Sequence, residues 1–212
     1  MSTYQPIYQG VLLLAVGICS VNAFAEPSDT EQTTLDVEYT VSPAEGLLAF
    51  ETVYTVLQHP RCLNCHPSGD APLQYDTSVP HAMNITRASV EAGLDCATCH
   101  QTQNSEAYGV TGGPPGAPNW HLPDKEMPLI FEGRSVAELC AQLLNPAENG
   151  QKTVEQLYAH VAHDPLVLWG WNPGGNRTLP PVEHATFARS FRTWMDAGTP
   201  CGAEDSTAAE SD

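Results

Sequence analysis

Apolar positions in this chain recur mainly at helical spacing. Leu47, Phe50, Tyr54 and Leu57 stand three and four residues apart, behind Ser42-Pro43-Ala44-Glu45. That tetrapeptide is a capping box with proline at the first helical position. It predicts a helix that ends near His59-Pro60 and delivers the chain to Cys62. Ser135 with Glu138 predicts a second helix, running to about Leu144 and stopping before Pro146. Thr153 with Gln156 predicts a third, running to about Ala162 and stopping before Asp164-Pro165. A fourth is predicted over Val182 to Ala197, with Phe187, Phe191 and Trp194 on one face and Gly198 as its stop. A short helical turn is expected over Ala88 to Ala92. Residues 66–86 and 109–128 carry breakers such as Gly69-Asp70, Pro72, Pro80 and Gly112-Gly113-Pro114-Pro115-Gly116, and read as loops. No stretch alternates at period two, so the expected class is mostly α, with long Pro/Gly-rich loops and little or no sheet.

The ends read differently. Val11 to Val21 is an apolar run too short to span a bilayer, and Ala23-Phe24-Ala25 follows as a small-x-small cleavage site. The expectation is a cleaved signal peptide over residues 1–25 and no stable membrane insertion, although residues 1–10 lack the usual Lys or Arg. Residues 26–41 are acidic and aperiodic and read as a flexible leader. Residues 42–201 are the expected single domain, and 202–212 a disordered acidic tail.

Charge narrows the partners. The chain carries 8 Lys and Arg against 25 Asp and Glu, a net charge of −17. That balance argues against nucleic acid and against anionic membrane surfaces. It suits a partner with a basic docking face, with plain solubility as the alternative. The 18 Pro and 16 Gly imply many turns, so the chain needs help to build a core.

Two pentapeptides carry the chemistry: Cys62-Leu63-Asn64-Cys65-His66 and Cys96-Ala97-Thr98-Cys99-His100. Cys-x-x-Cys-His is the attachment signature of c-type haem. Two thiols on one turn can form thioethers to the two vinyl groups on one porphyrin edge, and the next residue then stands beneath the iron as proximal ligand. The expectation is two haem c groups, held by Cys62, Cys65, Cys96 and Cys99, with His66 and His100 on the irons. A Cys₄ zinc site is the alternative, but it leaves both histidines without a role. A thioredoxin-like redox pair lacks its βαβ context. Cys62 and Cys96 are 34 residues apart, too few for each haem to have a domain of its own, so both are expected inside one compact fold.

For the sixth ligands the candidates are His81, in the loop between the motifs, and His160, on the flank of the Val154, Leu157, Val161 stripe. His184, in line with Phe187 and Phe191, and Met127, in the Glu126-Met127-Pro128 loop, are further candidates. His160 and His184, like His163 on the opposite side of its helix, have a bland alternative as satisfied surface or helix-end residues. Trp120, Trp169 and Trp171 read as packing against haem faces. Cys140 and Cys201 remain after signal cleavage, and in an oxidising compartment an even remainder reads as a disulfide. The alternative is Cys140 as an iron ligand.

The motifs also resemble a known group. Arg61-Cys62-Leu63-Asn64-Cys65-His66-Pro67, the second haem motif, Pro115-Gly116-Ala117-Pro118-Asn119-Trp120, Glu138-Leu139-Cys140, Asp164-Pro165-Leu166-Val167 and Trp169-Gly170-Trp171 are similar to segments of small proteobacterial periplasmic dihaem cytochromes, often labelled isoquinoline 1-oxidoreductase subunits. The resemblance spans Arg61 to Cys201 and implies a dihaem cytochrome c fold. It also implies an electron acceptor for a periplasmic molybdenum hydroxylase, passing electrons to a downstream cytochrome or oxidase. An electron carrier in the periplasm is therefore the expectation. A small dihaem peroxidase, a thiol-sulfur oxidoreductase or a haem-based sensor is the alternative, and each needs one open iron position.

Overall fold

The computed structural model describes residues 40–105 and 113–202. The chain divides into two units, Met1–Glu38 and Tyr39–Asp212, and every described residue belongs to the second. The expected signal peptide, nearly all of the expected leader and residues 203–212 of the expected tail lie outside the described residues.

Helix α1 (Pro43–Leu57) opens as its sequence dictates. The Ser42 hydroxyl accepts from the Glu45 amide, while the Glu45 carboxylate accepts from the Ser42 amide at 2.8 Å. It buries Gly46, Phe50, Val53, Val56 and Leu57. Helix α2 (Pro60–Leu63) restarts the chain after a break at His59, whose Nδ1 accepts from the Arg61 amide at 3.2 Å. Helix α3 (Arg87–Glu91), capped by Thr86, covers the expected short turn, shifted by one residue. Helices α4 (Val136–Leu144) and α5 (Val154–His163) carry the capping boxes at Ser135 and Thr153. Helix α6 (Pro165–Leu168) starts anew at Asp164, and α7 (His184–Asp196) closes the set. The molecule is thus mostly α-helical. Among the described residues the sheet is one antiparallel pair, β1 (Leu73–Gln74) with β2 (Val79–Pro80), in the loop after the first Cys-x-x-Cys-His segment. Among the described residues no helix is long and apolar enough to cross a membrane.

The core lies where α1 and α7 cross. Phe50 packs tilted against Trp194 with ring centres 4.8 Å apart, Phe191 meets Trp194 edge-on at 5.3 Å, and Leu139 and Leu143 of α4 and Leu157 of α5 are part of the same cluster. Trp194 is fully buried, yet its indole N–H is satisfied by the Pro200 carbonyl at 3.0 Å. Gly46 permits the close crossing: a Cβ there would collide with the Ala197 side chain and stand 2.8 Å from the Pro200 ring. Gly198, at φ +81°, then turns the chain back toward α4. There Cys140 and Cys201 form a disulfide, with Cα atoms 5.7 Å apart. Cys140 is therefore not available to ligate an iron.

Two predictions follow from this packing. Replacing both Cys140 and Cys201 by serine frees a closure spanning 61 residues, and is expected to cost about 4 kcal/mol by the chain-entropy relation. Denaturant unfolding of the variant with and without reductant measures it, and an unchanged midpoint would contradict the clamp. Gly46→Ala is expected to force α1 from α7 and cost about 1–3 kcal/mol as an overpacking change. A thermal melt no lower than that of the parent would contradict the crossing.

Candidate functional site

The first Cys-x-x-Cys-His segment is built by α2 and the turn after it. The Cys65 amide donates to the Cys62 carbonyl at 3.1 Å, and the His66 amide to the Leu63 carbonyl at 3.0 Å, so both thiols and the imidazole leave one tight turn. His66 is clamped from both sides. Its carbonyl accepts from the Phe131 amide at 2.9 Å, its ring stacks on Phe131 at 3.9 Å, and its Nδ1 donates to the Leu129 carbonyl at 2.8 Å. A carbonyl can only accept, so Nδ1 carries the proton and Nε2 keeps the lone pair. Burial pushes the affinity of the ring for a second proton down to about 4, against the opposing pull of that carbonyl, so His66 is neutral at neutral pH. A neutral imidazole with a free Nε2 is the form that binds a metal.

Cys62, Cys65 and His66 line a cavity of about 860 Å³, mouth included, walled by core residues such as Leu143, Leu157 and Phe191. His160 of α5 lines the same cavity. Its Nδ1 meets the Asp164 carboxylate at 3.1 Å, four residues on, which leaves its own Nε2 unengaged by the chain. The cavity is largely apolar.

The second segment lies on a 3₁₀ turn, Cys96–Thr98, capped by Asp95, whose carboxylate accepts from the Ala97 amide at 2.9 Å. The His100 amide returns to the Cys96 carbonyl at 2.9 Å, and His100 Nδ1 donates to the Pro115 carbonyl at 2.7 Å. Burial lowers the proton affinity of this ring as well. Gly116 makes the clamp possible, because a Cβ there would strike the carbonyl oxygens of Gln103 and Gln101. Asn104 fixes the same loop: its Oδ1 accepts from the Gly116 amide and from the Trp169 indole, and its Nδ2 donates to the Asn172 carbonyl. Trp120 stacks parallel on His100 at 4.5 Å and meets Trp169 edge-on at 4.9 Å.

This segment lines a larger space, about 1480 Å³ with its open side, and His81 lines it too. The rings of His81 and His100 have centres 6.0 Å apart. Two imidazoles on one metal, with bonds of about 2 Å, have ring centres on the order of 6 Å apart. His81 Nδ1 donates to the Ala82 carbonyl at 2.7 Å, which again leaves Nε2 free. The donor set therefore fits the group that the sequence motifs imply: Cys62, Cys65, His66 and His160 line the first cavity and Cys96, Cys99, His100 and His81 the second, with Nδ1 of each of these four histidines tied down. Among the described residues no three His, Cys, Asp or Glu converge in a way that could hold a metal ion.

The two cavities adjoin. Arg61, Cys65 and His121 line both. His121 is exposed, and its Nδ1 lies 2.6 Å from the Asn119 carbonyl. Two of the candidate sixth ligands line neither cavity. His184 spends Nε2 on the Val161 carbonyl at 2.9 Å and packs against Trp171, so it ties α7 to α5. Met127 follows a turn closed by its amide on the Asp124 carbonyl. Of the tryptophans read as cofactor packing, Trp120 and Trp169 line the second cavity, while Trp171 packs on Phe187. Sequence reasoning missed Arg61, Asp76, Asn104 and Asp164. The His160–Asp164 spacing of four on a helix was a usable signal; the other three meet their partners across long sequence separations.

Compared with known proteins, this chain matches no family model, no curated protein and no solved structure.

Burial, reinforced by the neighbouring Cys65, pushes the Cys62 thiol up to about 12; burial likewise pushes Cys65 up to about 11, although Arg61 opposes the rise in both. Cys99 is exposed. In the cofactor-free chain at pH 8, iodoacetamide is expected to label Cys99 well ahead of Cys62 and Cys65, because the thiolate is the nucleophile. Labelling of the slow pair should rise about tenfold per pH unit up to those values. Peptide mass spectrometry over a pH series reads this, and equal rates at pH 8 would contradict the half-buried, desolvated placement of the pair.

Proposed function

We propose that this protein is a periplasmic dihaem c-type cytochrome that carries electrons between redox partners. The observation that carries the proposal is the pairing of imidazoles: His66 with His160 around one cavity, and His100 with His81 around the other. When bound, the two haems supply one-electron iron chemistry. The chain does the rest. Cys62, Cys65, Cys96 and Cys99 hold the porphyrins covalently, and His66 and His100 are the proximal ligands. The backbone carbonyls of Leu129 and Pro115 orient those two rings, while burial holds both toward the neutral form. His160 and His81 would occupy the positions that a peroxidase or a gas sensor needs open, which favours a carrier over an enzyme.

The common wall of the two cavities supports exchange between adjacent cofactors within one fold. The charge of −17 supports docking on a partner with a basic face, since complementary fields speed encounter. One electron enters from a donor and leaves to an acceptor, and no bond is made or broken in the protein. The resemblance at the motifs makes a molybdenum hydroxylase the proposed donor and a downstream cytochrome or oxidase the proposed acceptor. The signal peptide expected over residues 1–25 is the basis for the periplasmic location.

Absorption spectra test the proposal, taken oxidised, dithionite-reduced and reduced under carbon monoxide, after expression with cytochrome c maturation. A pyridine haemochrome assay counts the haems. The expected result is two covalent haems per chain, both low-spin and both blind to carbon monoxide. His160→Ala and His81→Ala should each open one haem to carbon monoxide and leave the other closed. A chain without covalent haem would sink the proposal, and a parent protein that binds carbon monoxide would move it to an enzyme or sensor.

A further inference from the structure

Arg61 is 7% exposed and, among the described residues, is the one Lys or Arg that lines both cavities. A guanidinium is costly to bury, so its surroundings show what holds it there. One terminal nitrogen is paired with the Asp76 carboxylate. Asp76 is positioned in turn by the Thr178 amide, which donates to it at 3.1 Å. The guanidinium also lies 5.9 Å from the centre of the Trp169 ring, a wall of the second cavity. Arg61 Nε is buried and has no hydrogen-bond partner, as is Oδ1 of Asn64, another residue of the second cavity. The fold thus keeps a cation at a common wall, incompletely neutralised, inside a chain whose net charge is −17.

We infer that Arg61 and Asp76 form a charge pair that sets the reduction potentials of both haem sites together. The inference rests on the dihaem reading proposed above. Reduction of either iron adds one electron, and so one negative charge, to its cavity. A cation in the wall stabilises that added charge and raises the potential, and an anion does the opposite. Because the medium around a buried charge screens it weakly, the effect reaches both sites. Asp76 is exposed on its outer side and partly cancels the cation. The two members of the pair therefore pull in opposite directions on both irons.

Spectroelectrochemical titration of the holoprotein tests this, with a haemochrome count on every variant. Arg61→Gln is expected to lower both potentials, and Asp76→Asn to raise both. In each case the ratio of reduced to oxidised haem at a fixed ambient potential should change about tenfold, ~59 mV for a one-electron couple. Arg61→Lys keeps the charge and should keep both potentials near those of the parent. Arg192→Gln, which removes an exposed pair with Glu155 and Asp196, should leave them unmoved. Shifts of the same sign in Arg61→Gln and Asp76→Asn, no shift in either, or a response at one haem alone would overturn the inference. If Arg61→Gln does not mature, Asp76→Asn and Arg61→Lys decide it by the same criteria. A parent chain without two covalent haems would fail the dihaem reading itself, a result the haemochrome count reports separately.

Discussion

The crossing of α1 and α7, locked by the Cys140–Cys201 disulfide, is the constraint on which the rest of this structure hangs. These helices hold Phe50, Phe187, Phe191 and Trp194, the largest fully buried side chains among the described residues. Gly46 lets the backbones approach, the Trp194 indole captures the Pro200 carbonyl, and the turn at Gly198 brings Cys201 to Cys140. α4 is thereby fixed against the pair, and its Gln142 and Gln58, the residue that ends α1, hold the carbonyls of Ile130 and Phe131. Those contacts fix the segment from which the Leu129 carbonyl reaches His66. A covalent closure 61 residues long thus ends in the orientation of one imidazole.

The loops do as much positional work as the helices. Each proximal histidine takes its orientation from a carbonyl in an irregular segment, Leu129 for His66 and Pro115 for His100. Irregular segments have backbone groups to spare, because no helix or sheet claims them. Proline and glycine serve this use: Gly116 passes where no side chain fits, and Asn104 pins the same loop through three hydrogen bonds. The high Pro and Gly content is thereby tied to the site rather than to looseness.

Electrostatics add a second layer. The chain carries 25 Asp and Glu against 8 Lys and Arg, while Arg61 and Arg177 line the second cavity and Arg61 the first. Arg177 is committed to the backbone, donating to the carbonyls of Pro173 and Gly113. Arg61 keeps one N–H unspent. A net negative charge suits long-range encounter with a basic partner, and a cation at the common wall acts at short range on whatever charge the cavities take up.

By itself, the sequence determined what depends on neighbours in the chain. The capping boxes at Ser42, Ser135 and Thr153 marked helix starts, because the groups that satisfy a first turn lie three residues apart. The two Cys-x-x-Cys-His segments were legible for the same reason, as one turn suffices to present two thiols and an imidazole. The pairing of Cys140 with Cys201 followed from counting cysteines, although iron ligation stood open until the bond was seen. Tertiary structure decided which distant side chains share a cavity. His160 and His184 both lie on apolar helix faces, yet one lines the first cavity and the other is spent on the Val161 carbonyl. Met127 has a plausible local context and lines neither space. Arg61 carries no local mark of its role, since its partner Asp76 and the two walls it joins meet only when the loops fold onto the helices. Local hydrogen bonding is written in short spacings, whereas the choice among several histidines depends on where whole elements come to rest.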